Sequence, residues 1–189
     1  LVAGTTGADT LIASIGIDGV QDSIFTGAGN DVIDLAFNNN ARNNRVEAGT
    51  GADTIYVSRN DRVFGSAGDD IFEAIDGKGG NRMSGGAGND TFYLGSNDRD
   101  LGGDGNDRFF AGSGGGNIIS GGAGADRFWI AKAEIPNAAN TIVDFQIGTD
   151  VIGIQGAKSL GISATSLKLT QVGADTSIDF SGQTLAILT

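Results

Sequence analysis

A six-residue motif ending in aspartate recurs seven times along this chain and constrains its fold more than any other feature. It occupies Gly4–Asp9, Thr26–Asp31, Ala48–Asp53, Gly65–Asp70, Gly85–Asp90, Gly102–Asp107 and Gly121–Asp126. The fourth position is always glycine: Gly7, Gly29, Gly51, Gly68, Gly88, Gly105 and Gly124. The second is Gly27, Gly49, Gly86, Gly103 or Gly122, with Thr5 and Ser66 departing. Two residues beyond each aspartate stands an apolar side chain: Leu11, Ile33, Ile55, Phe72, Phe92, Phe109 and Phe128. Self-similarity at this period is the mark of a solenoid, in which each repeat buries its apolar side against its neighbours.

A weaker series runs between the strong motifs: Asp22, Asn44, Asp61, Asn81, Asp98 and Asn117. Each precedes the next strong aspartate by nine residues (22 to 31, 44 to 53, 61 to 70, 81 to 90, 98 to 107, 117 to 126). One coil is therefore two half-turns, with strong turns stacked on one edge and weak turns on the other. Strong aspartates recur every 17 to 22 residues, and the variation falls on the segment leading into the weak edge.

The expected fold is all-β, a parallel β-roll or β-solenoid closed by a C-terminal β capping segment. Each aspartate-x-U-x unit predicts a short strand with U inward and its neighbours outward. The predicted core sets Leu11, Ile33, Ile55, Phe72, Phe92, Phe109 and Phe128 against Ile24, Val46, Val63, Met83 and Ile119. At Asp100 the pattern puts a carboxylate where U belongs. Because an unpaired buried charge is costly, a one-residue shift that turns Leu101 inward is expected there.

The chemistry of the turns points to a hard cation. Glycine lets the backbone take positive φ and bring carbonyls close to an ion. Calcium takes six to eight oxygen ligands, more than one hexapeptide supplies, so an ion would be enclosed between two stacked turns. The 12 Lys and Arg residues against 23 Asp and Glu leave a net charge of −11, which disfavours nucleic acid. The chain lacks cysteine and histidine, which excludes disulfides, Ser-His or Cys-His catalysis and an ordinary nitrogen ligand for zinc. Glycine at 33 of 189 positions shows no collagen period, and 39% apolar residues argue against a disordered linker. The longest apolar runs are too short to span a bilayer. A chain beginning at Leu1 is expected to be a fragment.

Across nearly its whole length the sequence resembles the RTX, or haemolysin-type, calcium-binding nonapeptide-repeat proteins, whose pattern is G-G-x-G-x-D-x-U-x. The resemblance implies that each ion sits between same-edge turns, held by the aspartate and backbone carbonyls. Carried over, the metal residues are Gly4, Gly7, Asp9, Gly27, Gly29, Asp31, Gly49, Gly51, Asp53, Gly65, Gly68, Asp70, Gly85, Gly86, Gly88 and Asp90. They continue with Gly102, Gly103, Gly105, Asp107, Gly121, Gly122, Gly124 and Asp126. Seven strong turns leave six gaps, implying about six calcium ions on that edge. Metal binding is then expected to be coupled to folding. On the weak edge, with its Asn residues and sparse glycine, ordinary turn capping is the expected role. The resemblance further implies type I secretion, folding on calcium outside the cell, and an extracellular or cell-surface location for a monomeric module of a larger chain.

The calcium-binding roll is expected over residues 1–130 and the cap over 131–189, with strands between Leu167 and Leu188 and a hairpin near Ser181-Gly182. Asp144 and Asp150 are open between an additional ion site and ordinary turn residues. Glycine-rich matches to a dinucleotide loop lack a strand–helix setting, and Asp98–Asp107 lacks the closing glutamate of an EF-hand. The abundant carboxylates are assigned to calcium, so no catalytic residue is expected. Two outward columns remain for recognition. Arg45, Arg62, Arg82 and Arg99 should form a ladder whose charges are offset by nearby carboxylates such as Glu47 and by solvent, the alternative being an acidic polysaccharide or other cell-surface component. Tyr56, Tyr93, Phe110 and Trp129 form an aromatic column, for which packing is the expected role. An ice-binding face is disfavoured because the column Thr10, Val32, Thr54, Ile71, Thr91, Arg108, Arg127 lacks a regular threonine array.

Overall fold

The structure, a computed structural model, describes residues 1–12, 19–37 and 40–189. Among them the chain forms nineteen strands, β1–β19, and no helix is long and apolar enough to cross a membrane. One sheet contains β1 (Val2–Ala3), β3 (Ser23–Ala28), β5 (Arg45–Thr50), β7 (Arg62–Ala67), β9 (Arg82–Ala87), β11 (Arg99–Asp104), β13 (Ile118–Ala123) and β15 (Asn140–Ile142), all parallel. The facing sheet is β2 (Thr10–Ile12), β4 (Val32–Asp34), β6 (Thr54–Tyr56), β8 (Ile71–Glu73), β10 (Thr91–Ser96), β12 (Arg108–Gly115), β14 (Arg127–Lys132) and β16 (Val151–Gln155). The chain alternates between the two sheets, so every coil adds one strand to each: this is the parallel β-roll that the repeat predicts.

Register follows the motif. Phe72, Phe92, Phe109 and Phe128 occupy equivalent positions and are fully buried. Their rings stack 4.6, 4.7 and 5.2 Å apart and within 10° of parallel, close to the spacing of parallel strands. Ile24, Val46, Val63, Met83 and Ile119 face them, as expected. A second inward column, Leu35, Val57, Ala74, Leu94, Ala111 and Ile130, lies two residues further along the Phe-bearing sheet. It deepens the core beyond what the motif alone indicates.

Asp100 contradicts the sequence expectation. It pairs in register with Met83 and Ile119 and is 2% exposed, while Leu101 points outward at 45%. No shift occurs because β11 is held at both ends. Asp98 N–H donates to Asn117 Oδ1 at 2.9 Å, and Gly103 aligns with Gly86 and Gly122. A one-residue slip would turn every side chain of the strand over and break both anchors. Neither Asp100 oxygen has a hydrogen-bond partner, and burial, with Asp98 nearby, holds its pKa well above the usual carboxylate range. Burial thus favours the neutral form of this group, which lowers the cost of keeping it in the core.

Past β14 the parallel ladders continue through β15 and β16. A three-stranded antiparallel unit follows: β17 (Leu167–Val172), β18 (Asp175–Phe180) and β19 (Gln183–Leu188). Ser181 and Gly182 form the anticipated hairpin turn with φ of 52° and 84°. A second turn at Gly173 was not evident from the sequence. Strand β19 pairs in parallel with β15 and so fastens this unit to the end of the roll.

Candidate metal centre

The strong edge is a ladder of aspartates. The backbone N–H of Asp9 donates to Oδ1 of Asp31, Asp31 to Asp53, and so on through Asp70, Asp90, Asp107 and Asp126, at 2.7–2.8 Å. One carboxylate oxygen of each is thereby spent on the coil before it. The ladder has an eighth rung that motif counting missed, because Asp126 N–H donates to Asp150 Oδ1 at 3.0 Å. Gly148 two residues before Asp150 and Ile152 two residues after it were the available signals, without the glycines that open the other motifs.

The second oxygen decides what the edge can do. Oδ2 of Asp31, Asp53, Asp70, Asp90, Asp107 and Asp126 is buried with no hydrogen-bond partner. Such an orphan costs roughly 1–3 kcal/mol, more when charged, so six in a row call for a positive partner. At the two ends the oxygen is already bonded. Asp9 Oδ2 accepts from Thr5 N–H at 2.6 Å, and Asp150 Oδ2 from Gln146 N–H at 2.8 Å.

Around these oxygens the glycines leave room. A Cβ built on Gly65, Gly85, Gly102 or Gly121 would run into Oδ2 of Asp70, Asp90, Asp107 or Asp126 respectively. A Cβ on Gly85 would also lie 2.8 Å from the Gly102 carbonyl, and one on Gly65 2.9 Å from that of Gly85. At Gly65, Gly85 and Gly102 a carboxylate oxygen and a carbonyl of the following coil thus converge on space that a side chain would fill, whereas at Gly121 the carboxylate oxygen is joined by the Phe128 ring. From the second motif onward the second and fourth glycines take φ between about 99° and 139°, the left-handed half of the map that such tight turns need, whereas Gly7 of the first motif does not. Ser66 adopts φ 87° at a second position, an exception among these turns. Thr26 and Ala48 stand where later turns have the opening glycine, and the Thr26 hydroxyl donates to the Ala48 carbonyl at 2.7 Å.

Burial pushes the carboxyls of Asp70 and Asp107 up to about 7 and that of Asp90 to about 6, aided by neighbouring aspartates. Asp53 and Asp126 are raised for the same reason. Among the described residues no three acidic, histidine or cysteine side chains converge on one point. An ion here therefore has to draw much of its shell from carbonyls, which suits calcium and excludes a nitrogen- or sulfur-seeking metal.

The matching family model is that of the RTX calcium-binding nonapeptide repeat, in four copies; it matches residues 21–40, 38–71, 73–101, 101–116 and 111–129, more than half of the chain. The chain belongs to the RTX calcium-binding repeat family. A search of the curated proteins finds no match. An RTX roll is a structural calcium-binding fold, and the six orphaned oxygens, four of them beside an opening glycine, fit the ion that the family binds.

The weak edge of this RTX roll is built differently. It forms the same ladder, from Asp22 through Asn44, Asp61, Asn81, Asp98 and Asn117 to Asn140, at 2.8–3.2 Å. Here the second side-chain atom is bonded as well, except at the last rung, where Asn140 Nδ2 is buried without a partner. Oδ2 of Asp22, Asp61 and Asp98 accepts from the backbone N–H of Gly19, Ser58 and Gly95, three residues earlier. Nδ2 of Asn44, Asn81 and Asn117 donates to the carbonyls of those same three residues at 2.8, 3.4 and 3.4 Å. Each Asp–Asn pair thus clamps one loop residue by both its backbone groups. Gln21, Asn43, Asn60 and Asn97, each just before a rung, take φ of 54–58°, doing with polar residues what glycine does opposite.

The outward columns are in register as expected. Arg45, Arg62, Arg82 and Arg99 align on successive coils. Arg45 pairs with Glu47 and lies over the Phe64 ring, whereas no ion pair engages Arg62, Arg82 or Arg99 among the described residues. These three border a groove of about 540 Å³ that Phe64, Ser84 and Leu101 also line. On the opposite face Tyr93, Phe110 and Trp129 stack at 4.9 and 4.4 Å with Lys132 over Tyr93, while Glu73 separates Tyr56 from them.

Proposed function

We propose that this chain is a secreted, non-catalytic RTX module that folds on calcium outside the cell and serves a structural or adhesive role at or beyond the cell surface. The observation that carries it is the row of six buried, unpartnered Oδ2 atoms on one edge. About six ions would ligate these aspartates and the carbonyls of the glycine turns, from Asp31 through Asp126. Six divalent ions offset a net charge of −11, so the metal-free chain is self-repelling and the loaded one near neutral. In this division of labour residues 1–130 hold the metal and residues 131–189 close the roll, whose open end would otherwise expose strand edges. Low cytosolic calcium would keep the chain unfolded for export.

The test is a calcium titration of the metal-stripped chain, followed by far-ultraviolet circular dichroism and Trp129 fluorescence, with magnesium as control. A cooperative gain of β-structure with calcium alone, saturating near six ions, is expected. A compact, cooperatively folded chain without calcium would sink the proposal.

The unpaired arginines favour a second role, as an appendage that binds an anionic polysaccharide. Three guanidinium groups in register can meet successive acidic groups of an extended chain. Binding should weaken with salt and drop several-fold in Arg62→Ala or Arg82→Ala. Affinity indifferent to both changes would remove this role.

A further inference from the structure

The outward face of the sheet that carries the arginines changes character along the roll. Its first column reads Arg45, Arg62, Arg82 and Arg99, then turns apolar at Ile118 on the next coil. Its second column reads Phe64, Ser84, Leu101 and Ser120 on successive coils, with Val143 just past β15, so large and small side chains alternate. From Arg62 onward all of these line the groove of about 540 Å³. Leu101, Ile118 and Val143 are 45%, 37% and 41% exposed and make one end of it apolar, while three guanidinium groups mark the other. The chain as a whole carries −11, yet the one acidic side chain in these two columns among the described residues is Glu47, which Arg45 engages. Past Ser120 the carboxylate of Asp144 is already satisfied, accepting from the Ser120 hydroxyl and the N–H groups of Gly121 and Gly122 at 2.6–2.9 Å.

We propose that this groove binds an anionic amphiphile, a single alkyl or acyl chain ending in a carboxylate, sulfonate or phosphate. The acid lies against Arg62, Arg82 and Arg99, and the chain runs over Leu101 towards Ile118 and Val143. Successive arginines stand about 4.8 Å apart, so the forks of two can share one head group. Four strand spacings separate Arg62 from Val143, which gives the ligand about 19 Å of sheet to lie along. A groove of this size with apolar walls and a few placed polar groups is the usual form of a small-molecule site. A polysaccharide without a chain suits the apolar end poorly, because its hydroxyls would lose water against three aliphatic side chains. The assignment rests on the anion-binding role proposed above for these arginines and goes beyond it in giving the ligand an apolar chain.

The experiment titrates the calcium-loaded chain with octanesulfonate below its micelle concentration, followed by calorimetry. Methanesulfonate supplies the head without the chain, octyltrimethylammonium the chain with the opposite charge, and hyaluronate a row of acids without a chain. One octanesulfonate should bind per chain, with affinity rising about twofold or more per methylene from butanesulfonate upward. Affinity should fall roughly fivefold or more in Arg82→Ala and in Leu101→Ser, and neither methanesulfonate nor octyltrimethylammonium should compete. Both side chains face outward, and Leu101→Ser repeats the residue that Ser84 and Ser120 place in the same column, so circular dichroism of the loaded chain should not change. Affinity that ignores chain length in the unaltered protein, or that survives Leu101→Ser, overturns the proposal. Hyaluronate binding that depends on Arg82, with no binding of octanesulfonate, overturns it and leaves the anion-binding role intact. If neither ligand binds, both fall.

Discussion

At Asp100 a carboxylic acid sits in an apolar column between Met83 and Ile119 with no hydrogen bond to either oxygen. Keeping it neutral costs little at low pH and more as the solution becomes basic, because its folded pKa lies well above that of the unfolded chain. The stabilising contribution of its proton is present below the unfolded value and is lost as pH rises through the folded one. Asp100→Ile should therefore stabilise the calcium-loaded roll by about 2 kcal/mol or more near neutrality, with a smaller gain at pH 5. Thermal melts at the two pH values test this; a destabilised variant would mean that the carboxyl has a partner. The expected one-residue shift does not occur, because β11 is anchored at both ends, and burial instead favours the protonated carboxyl.

The two edges show how one ladder serves two purposes. Both use a side-chain oxygen to accept the N–H of the coil before, but only the strong edge leaves its second oxygen free. On the weak edge a carboxylate takes the N–H of Gly19, Ser58 or Gly95, and the following asparagine gives to the carbonyl of the same residue. Asn81→Asp would set an acceptor against the Ser58 carbonyl and place a third carboxylate between Asp61 and Asp98. Stability should fall by about 1–3 kcal/mol with no change in the number of calcium ions bound. Denaturant unfolding in calcium, alongside calorimetric ion counting, checks both halves; an added ion would show that this edge is a metal site one charge short. The alternation of Asp and Asn was visible in the sequence. Its meaning was not, since the bonded groups lie in loops whose length varies from coil to coil.

For the whole molecule, protons and calcium compete for the same edge. Burial raises Asp70 and Asp107 to about 7 and Asp90 to about 6, so in the metal-free state the folded chain binds more protons than the unfolded one. Residual structure in the stripped chain should be greatest below the unfolded aspartate value of 3.8, should decline above it, and should disappear as pH rises through 6–7. Calcium should reverse the trend, with affinity weakening below about pH 6 and protons released on binding. Circular dichroism of the stripped and loaded chains from pH 4 to 8 tests the sign; a stripped chain that gains structure with rising pH would contradict it.

Sequence alone determined the architecture because a solenoid is quasi-one-dimensional: each residue's neighbours lie one period away, and the period is written in the glycines and aspartates. The stacked phenylalanines, the arginine column and the aspartate edge all follow from counting, as does the hairpin at Ser181-Gly182. Only the tertiary structure decided which oxygens are left without a partner. That depends on backbone groups brought up by adjoining turns: Thr5 at one end, Gln146 at the other, and Gly19, Ser58 and Gly95 across the roll. It also revealed Asp150 as an eighth rung, because a turn lacking the opening glycines can still place its aspartate in line when the strands on either side set the register.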